Sequence, residues 1–313
     1  MNAFPGPESL PGTMCFEPKW DGYRIALFRG SHGTELWSRQ GKNLSRYFPE
    51  LVNAADELIP AGCIVDGEAV VWTGGRLSFE SLQQRLSAGK NRLVAVANEL
   101  PANFVAFDVL CVAGHDARSL RLRERRALLQ ELADGWTPPF SLSPLTTDLD
   151  LALQWFKDLA TAGLEGLIIK GDSQPYLGGQ RVWLKYKRRS EIDIICGAVV
   201  GPIDRPTEIV AGLPIDGALR IVGRSSVLRS SDSQVLAQWL KPPEGPHPWP
   251  EMVKGSTLDR FNRDASPVAL TLVEPVVVEV SADSAWSGQA FRHALRFIRV
   301  RPELPPEEVP LPR

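Results

Sequence analysis

Apolar and polar residues alternate over short stretches of the first 189 residues. Runs at 24–28, 64–72, 104–110, 166–170 and 182–186 predict β-strands. Between them, 79–87, 120–132 and 149–162 carry apolar residues at helical spacing, with Leu149, Leu153, Phe156 and Leu159 on one side of the last. Strand and helix do not alternate regularly, and no glycine-rich phosphate loop follows a strand. The pattern predicts an α+β fold built on antiparallel sheets rather than a doubly wound one. Beyond residue 189 the texture changes: 192–200, 218–223, 268–280 and 294–300 are β-rich, and 232–240 reads as one short helix. The proline-rich stretch 241–250 must be an irregular loop, and the tail from Pro302 is extended. Five or so strands around one helix in about 110–120 residues fit a small OB-fold barrel. Two domains, 1–189 and 190–313, are therefore expected, with a hinge at 189–191.

The strongest chemical signal is Glu17-Pro18-Lys19-Trp20-Asp21-Gly22-Tyr23-Arg24. A lysine is a poor nucleophile while protonated, so a site that uses one lowers its pKa with nearby cations or desolvation. Arg24 supplies the cation, and Asp21-Gly22 a tight turn that brings it to Lys19. The plain rival is an ordinary Asp-Gly hairpin with solvent-facing charges. Ser38-Arg39-Gln40-Gly41 means little alone, and Asp66-Gly67-Glu68, between two β runs, also reads as a hairpin.

Phe107 alternates to the face of Val105 and Val109, where a core phenylalanine is the ordinary explanation. Glu165 would share a face with Leu167 and Ile169, so an acid opens a buried strand unless it is a solvated strand end. Near 182–187, Val182, Leu184 and Tyr186 fall on one face and Trp183, Lys185 and Lys187 on the other. Two cations at adjacent same-face positions repel unless an anion lies between them. A triphosphate or a DNA backbone would serve.

Composition adds bounds. The 313 residues, 43% hydrophobic and 23% charged, suit two soluble domains. No apolar run approaches the roughly 18–20 residues of a membrane span. The opening residues have neither a basic nor an apolar signal region, so a cytoplasmic protein is expected. Cys15, Cys63, Cys111 and Cys196 are scattered, without metal-ligand spacing. A net charge of −2 looks adverse for a nucleic-acid partner, yet the cations cluster. The run 181–189 holds five and no acid, and 292–301 holds Arg292, Arg296, Arg299 and Arg301. The run 118–126, broken by Glu124, fits a solvated helix face.

Taken in chain order, the six segments from Glu17 to Lys187 resemble the motifs of the covalent nucleotidyltransferases: DNA ligases, RNA ligases and capping enzymes. The resemblance implies that Lys19 carries a covalent nucleotide. It implies further that Arg24 binds the nucleotide and that Arg39 meets phosphates of the nucleotide or of a nick. Glu68 would sit beside the ribose and metal, Phe107 would stack on the purine, and Glu165 would help hold Mg²⁺ or Mn²⁺. Lys185 and Lys187 would neutralise phosphate charge. Glu17 is the acidic position seen in ATP-using members, fit to accept the exocyclic amino group of adenine. NAD-dependent relatives need a further N-terminal domain, and only 18 residues precede Lys19, so ATP is the expected cofactor.

The stretch from Glu279 to Glu303, together with His247-Pro248-Trp249, resembles the end of the OB domain in the ligase C branch of bacterial ATP-dependent DNA ligases. There Arg299 or Arg301 would reach the β,γ-phosphates; as a strand, Phe297, Arg299 and Arg301 would share a face with Arg296 opposite. Many family members end in Arg-x-Asp-Lys where this chain reads Arg299-Val300-Arg301-Pro302-Glu303, which leaves the arginine assignment open. The implied function is ATP-dependent DNA ligation at nicked or broken duplex DNA in repair. The implied enzyme is a monomer away from membranes, with other repair proteins as partners if DNA binding is weak. The alternatives are an RNA ligase, a GTP-using capping enzyme, or a nucleic-acid-binding OB protein with an inactive transferase domain.

Overall fold

The computed structural model describes residues 4–259, 266–283, 286–287 and 290–311. The chain forms two compact units, Met1–Lys187 and Arg188–Arg313. The strands that matter in the first are β1 (Met14–Pro18), β2 (Tyr23–Gly30), β3 (Gly33–Ser38), β4 (Cys63–Thr73), β5 (Ala102–Val112), β6 (Gly166–Gly171) and β7 (Leu184–Lys187). They divide between two sheets. One runs β3-β2-β4-β5, extended by short strands at its β4 and β5 side, with Phe140–Leu142 parallel to β5. The other has β6 between β1 and β7, all antiparallel.

The helices α1 (Pro49–Leu58), α2 (Phe79–Ser87), α3 (Leu122–Ala133) and α4 (Leu149–Asp158) begin where local chemistry tells them to. Ser78 accepts the N–H of Ser81 ahead of α2, and Asp148 accepts those of Asp150 and Leu151 ahead of α4. The first core joins Ile25, Leu27, Leu36, Leu51, Val65, Phe104 and Leu129. A second joins Phe16, Leu167 and Ile169 to Ala152, Trp155 and Phe156 of α4. The helical side expected to face inward is thus displaced: Leu149 is exposed, and α4 stops at Asp158 rather than at 162. The chain then turns through Gly163, whose φ is +87°.

Neither Asp21-Gly22 nor Asp66-Gly67 forms a hairpin. Asp21-Gly22 carries the chain from the three-stranded sheet to the larger one, between β1 and β2, which do not pair. Asp66-Gly67 lies inside β4, with Asp66 buried. The alternation expected in β5 also breaks. The ladder slips between Asp66↔Asp108 and Gly67↔Ala106, which leaves Phe107 as a bulge. Val109 therefore joins Phe104 and Ala106 in the core, and Phe107 does not share its face.

The second unit holds β8 (Arg189–Val200), β9 (Glu208–Ile215), β10 (Ala218–Arg224), β11 (Thr271–Asp283), β12 (Arg296–Val300) and the helix α5 (Ser230–Ala237). The sheet order is β10-β9-β8-β11-β12. Strand β9 has no clean period in the sequence because Gly212 and Pro214 interrupt it; tertiary pairing on both sides makes it a strand. A single parallel bridge, Ser225 to Leu295, links the ends of β10 and β12. No continuous ladder joins them among the described residues, so the sheet is not a closed barrel. In the irregular loop after α5, Trp249 is buried against Gly197 and Gly212 and donates its indole N–H to Leu219 O at 2.7 Å.

Arg85 of α2 ties the first unit together. Wholly buried, it donates to both oxygens of Glu50 and to the carbonyls of Tyr47 and Leu100. Glu50 in turn accepts the N–H of Ala102 at 2.9 Å. Arg85→Ala should lower the unfolding free energy by about 3–5 kcal/mol, since it removes the charged donor of all these acceptors and leaves Glu50 the Ala102 N–H alone. The lower end is expected because a quarter of the Glu50 side chain meets solvent. Urea denaturation followed by tryptophan fluorescence measures it; a change under 1 kcal/mol would mean the pair contributes no more than a surface one.

Candidate active site

Lys19 leaves the end of β1 held by its backbone. Its N–H donates to Gly166 O at 2.8 Å, and its carbonyl accepts the N–H of Glu165 at 3.3 Å. Its ammonium is ion-paired with the Glu165 carboxylate, from which Lys187 Nζ lies 3.8 Å away. Glu165 was expected to share a face with Leu167 and Ile169, and it does not. Gly166, at a φ of +152°, reverses the alternation and turns the carboxylate toward Lys19. Strand β7 begins at Leu184, not 182, but its faces are as the alternation predicts. Leu184 and Tyr186 pack in the core, while Trp183 and Lys185 line a cavity of about 180 Å³.

That cavity gathers residues far apart in the chain: Glu17, Lys19, Arg24, Arg39, Glu68, Phe107 and Lys185 all contribute to its wall. Its floor is a buried ion pair, Lys170 Nζ to Glu17 Oε1 at 2.9 Å. Lys170 also donates to Phe107 O at 3.3 Å and lies 4.9 Å and 4.2 Å from the ring centres of Phe107 and Trp183. Burial raises the Glu17 carboxyl above its usual value, and Lys170 opposes that rise. Desolvation likewise pushes Glu68 up to about 8, against the pull of Lys19 and Arg24. Lys185 is shifted the other way: desolvation first, then Lys19, Lys187, Arg39 and Arg24, hold its ammonium below its ordinary value. So many cations around one lysine make a site for a polyanion.

Arg24 does not sit free beside Lys19. Its Nε and Nη2 fork onto the Asp66 carboxylate at 3.1 and 2.6 Å, and it lies 4.7 Å from the Trp183 ring centre. With Arg39, Trp183 and Lys185, it also borders a second cavity, of about 500 Å³, lined further by Trp37, Tyr176 and Arg181.

Arg299 and Arg301 belong to the second unit. Arg299 Nε meets Glu279 Oε2 at 2.6 Å, and Arg301 Nη1 meets Asp193 Oδ1 at 2.9 Å. The expected alternation fails there as well. The ladder slips between Arg299↔Glu279 and Phe297↔Val280, leaving Ile298 as the extra residue. Phe297 therefore packs on the core with Val300, whereas Arg296 and Arg299 are exposed.

Some residues of this constellation stand out little in the sequence. Asp66 stands two positions before Glu68 on one strand and so on one face, which was a usable hint. Lys170 and Trp183 were legible only as neighbours of marked residues. Tyr176, in the segment between β6 and β7, had no signal.

A Cβ on Gly166 would lie 2.1 Å from Tyr186 O, a backbone atom, in a conformation that L-residues rarely adopt. Gly166→Ala should cost at least about 1–3 kcal/mol in backbone strain, and it should disturb Lys19 through the lost N–H to carbonyl bond. Gly89→Ala, with open space around it, is the control. Equal melting temperatures for the two variants would refute this reading of Gly166.

Known proteins agree in kind. A family model for the ATP dependent DNA ligase domain matches residues 7–187. DNA ligase C2 of Mycolicibacterium smegmatis is 35% identical over 94% of this chain and 88% of its own length. DNA ligase C of Mycobacterium tuberculosis is 34% identical over 95% of this chain and 88% of its own. Among solved structures, the ligase domain of M. tuberculosis LigD aligns with a TM-score of 0.50 at 26% identity, over 96% of this chain and 93% of that one. These relatives are DNA ligases, which disfavours the RNA-ligase and capping alternatives. The chain belongs to the ATP-dependent DNA ligases.

Proposed function

We propose that this protein seals 5′-phosphate/3′-hydroxyl nicks in duplex DNA during repair, with ATP, through an AMP covalently held on Lys19. The observation that carries the reading is the convergence of Lys19, two carboxylates and a ring of cations on one cavity floored by the Glu17–Lys170 pair. The first unit is then the adenylation domain. The second is an OB-fold domain, supported by its strand order, by helix α5 between its third and fourth strands, and by the Ser225–Leu295 bridge.

In the first step Lys19 Nζ attacks the α-phosphorus, a P–N bond forms, the bond to the bridging oxygen breaks, and pyrophosphate leaves. Before attack the ammonium must give up its pairing with Glu165 and lose one proton to solvent. Glu17, with one oxygen held by Lys170, offers the other to the adenine amino group. Phe107 presents its ring to the base. Lys185, Lys187 and Arg39 neutralise the phosphates, a task of electrostatics and positioning. The AMP then passes to the 5′-phosphate of the nick, and attack by the 3′-hydroxyl seals the strand and releases AMP. The second cavity, with Arg39 and Arg181 in its wall, is where we expect the DNA end.

Glu68 and Glu165 would hold a magnesium ion. They are hard oxygen donors beside Lys19, and two protein carboxylates suit an ion that completes its shell with phosphate oxygens and water. Bound there, the ion supplies Lewis-acid charge neutralisation at the phosphates.

Lys19→Ala should fold as wild type yet form no AMP adduct on incubation with labelled ATP, and seal no nick. Intact-protein mass spectrometry and a gel ligation assay are the readouts; an undiminished adduct would remove Lys19 from the mechanism. A second expectation concerns the last arginines, which we assign to the β,γ-phosphates. Arg299→Ala or Arg301→Ala should slow self-adenylylation on the order of 10²–10³-fold, and should slow sealing of a nick supplied already adenylated far less. Equal loss in both steps would assign these arginines to DNA binding or to folding.

A further inference from the structure

Arg24 stands in the wall that the two cavities share, and its orientation therefore bears on both. The Asp66 fork is only part of what holds it. Arg24 Nη2 also donates to Tyr176 Oη at 3.1 Å, and Tyr176 Oη donates to Asp66 Oδ2 at 2.8 Å. The three groups form a closed ring in which each is bonded to the other two. The ring uses Nε and Nη2 of the guanidinium, and Nη1 makes no hydrogen bond among the described residues.

The phenol answers a specific need. The Asp66 side chain is almost wholly buried, whereas a third of the Arg24 side chain meets solvent. Water can therefore compete for the arginine but cannot easily reach the carboxylate. Tyr176 Oη gives Asp66 a further donor and accepts a hydrogen bond from Nη2, so neither depends on water. Tyr176 is itself anchored, with its N–H donating to Arg118 O at 2.9 Å and its ring edge-on to Trp183 at 5.9 Å. Burial and the neighbouring Asp66 both raise its pKa, which keeps the phenol a donor.

We propose that Tyr176 is a positioning residue for adenylylation: its hydroxyl locks the Arg24 guanidinium on Asp66, so that Nη1 is presented to the nucleotide. This rests on the functional reading above, extended by the expectation from the sequence that Arg24 binds the nucleotide. Tyr176 touches no reacting atom and acts through Arg24 alone.

Tyr176→Phe keeps the ring and removes only the oxygen. Single-turnover formation of the Lys19 adduct, measured across ATP concentrations, should show the KM for ATP raised on the order of tenfold, as for one lost hydrogen bond to a charged group. The saturating rate should stay near wild type, and the melting temperature should fall only slightly, because Asp66 keeps both bonds from Arg24. In an Arg24→Lys background, where the fork is gone, the same Tyr176→Phe change should add nothing. A wild-type KM in Tyr176→Phe would overturn the proposal. So would a lowered melting temperature with an unchanged KM, which would make the tyrosine purely structural. An undiminished effect in the Arg24→Lys background would show that it does not act through Arg24. A wild type that forms no adduct at all is a different failure, because it strikes the functional reading itself.

Discussion

Cations assembled to receive a polyanion repel one another until it arrives, and the first unit is arranged around that constraint. The burial of charge makes the problem sharper, because a desolvated ammonium or guanidinium without a partner is strongly destabilising. Carboxylates therefore answer the cations one by one. Glu165 answers Lys19, with Lys187 close by, Asp66 answers Arg24, and Glu17 answers Lys170. Lys185 and Arg39 have no carboxylate of their own among the described ion pairs, and desolvation first, then the surrounding cations, destabilise the Lys185 ammonium.

This compensation depends on bringing residues of two sheets together around one cavity. Strand β6 presents Ile168 and Lys170 to the cavity while Leu167 and Ile169 enter the core, and the larger sheet contributes Arg24, Glu68 and Phe107. Regular alternation alone would not place all of them. Gly166 reverses the side on which Glu165 emerges, and the bulge at Phe107 separates that ring from Val109 and the core. Irregularities of this kind are where a sheet re-aims a side chain. In the second unit the bulge at Ile298 does the same for Arg299, and there too acids hold the arginines.

What the sequence determined by itself was the chemistry and its order. A lysine between Glu17 and Asp21-Gly22-Arg24, and a strand with Lys185 and Lys187 on one face, were legible because residue type and short-range period carry that information. The strands 24–28, 64–72 and 104–110 and the helix 79–87 were legible for the same reason. Tertiary structure alone decided the rest. Asp21-Gly22 and Asp66-Gly67 look alike as dipeptides, yet one crosses between sheets and the other lies within a strand, because pairing partners outvote turn propensity. Strand β9, broken in sequence by Gly212 and Pro214, exists because neighbours on both sides complete its hydrogen bonds. The partners of Arg24 lie 42 and 152 residues away, and those of Lys19 and Glu17 lie 146 and 153 away. No local pattern records such distances; they follow only once the two sheets have formed and each buried charge has found its counter-charge.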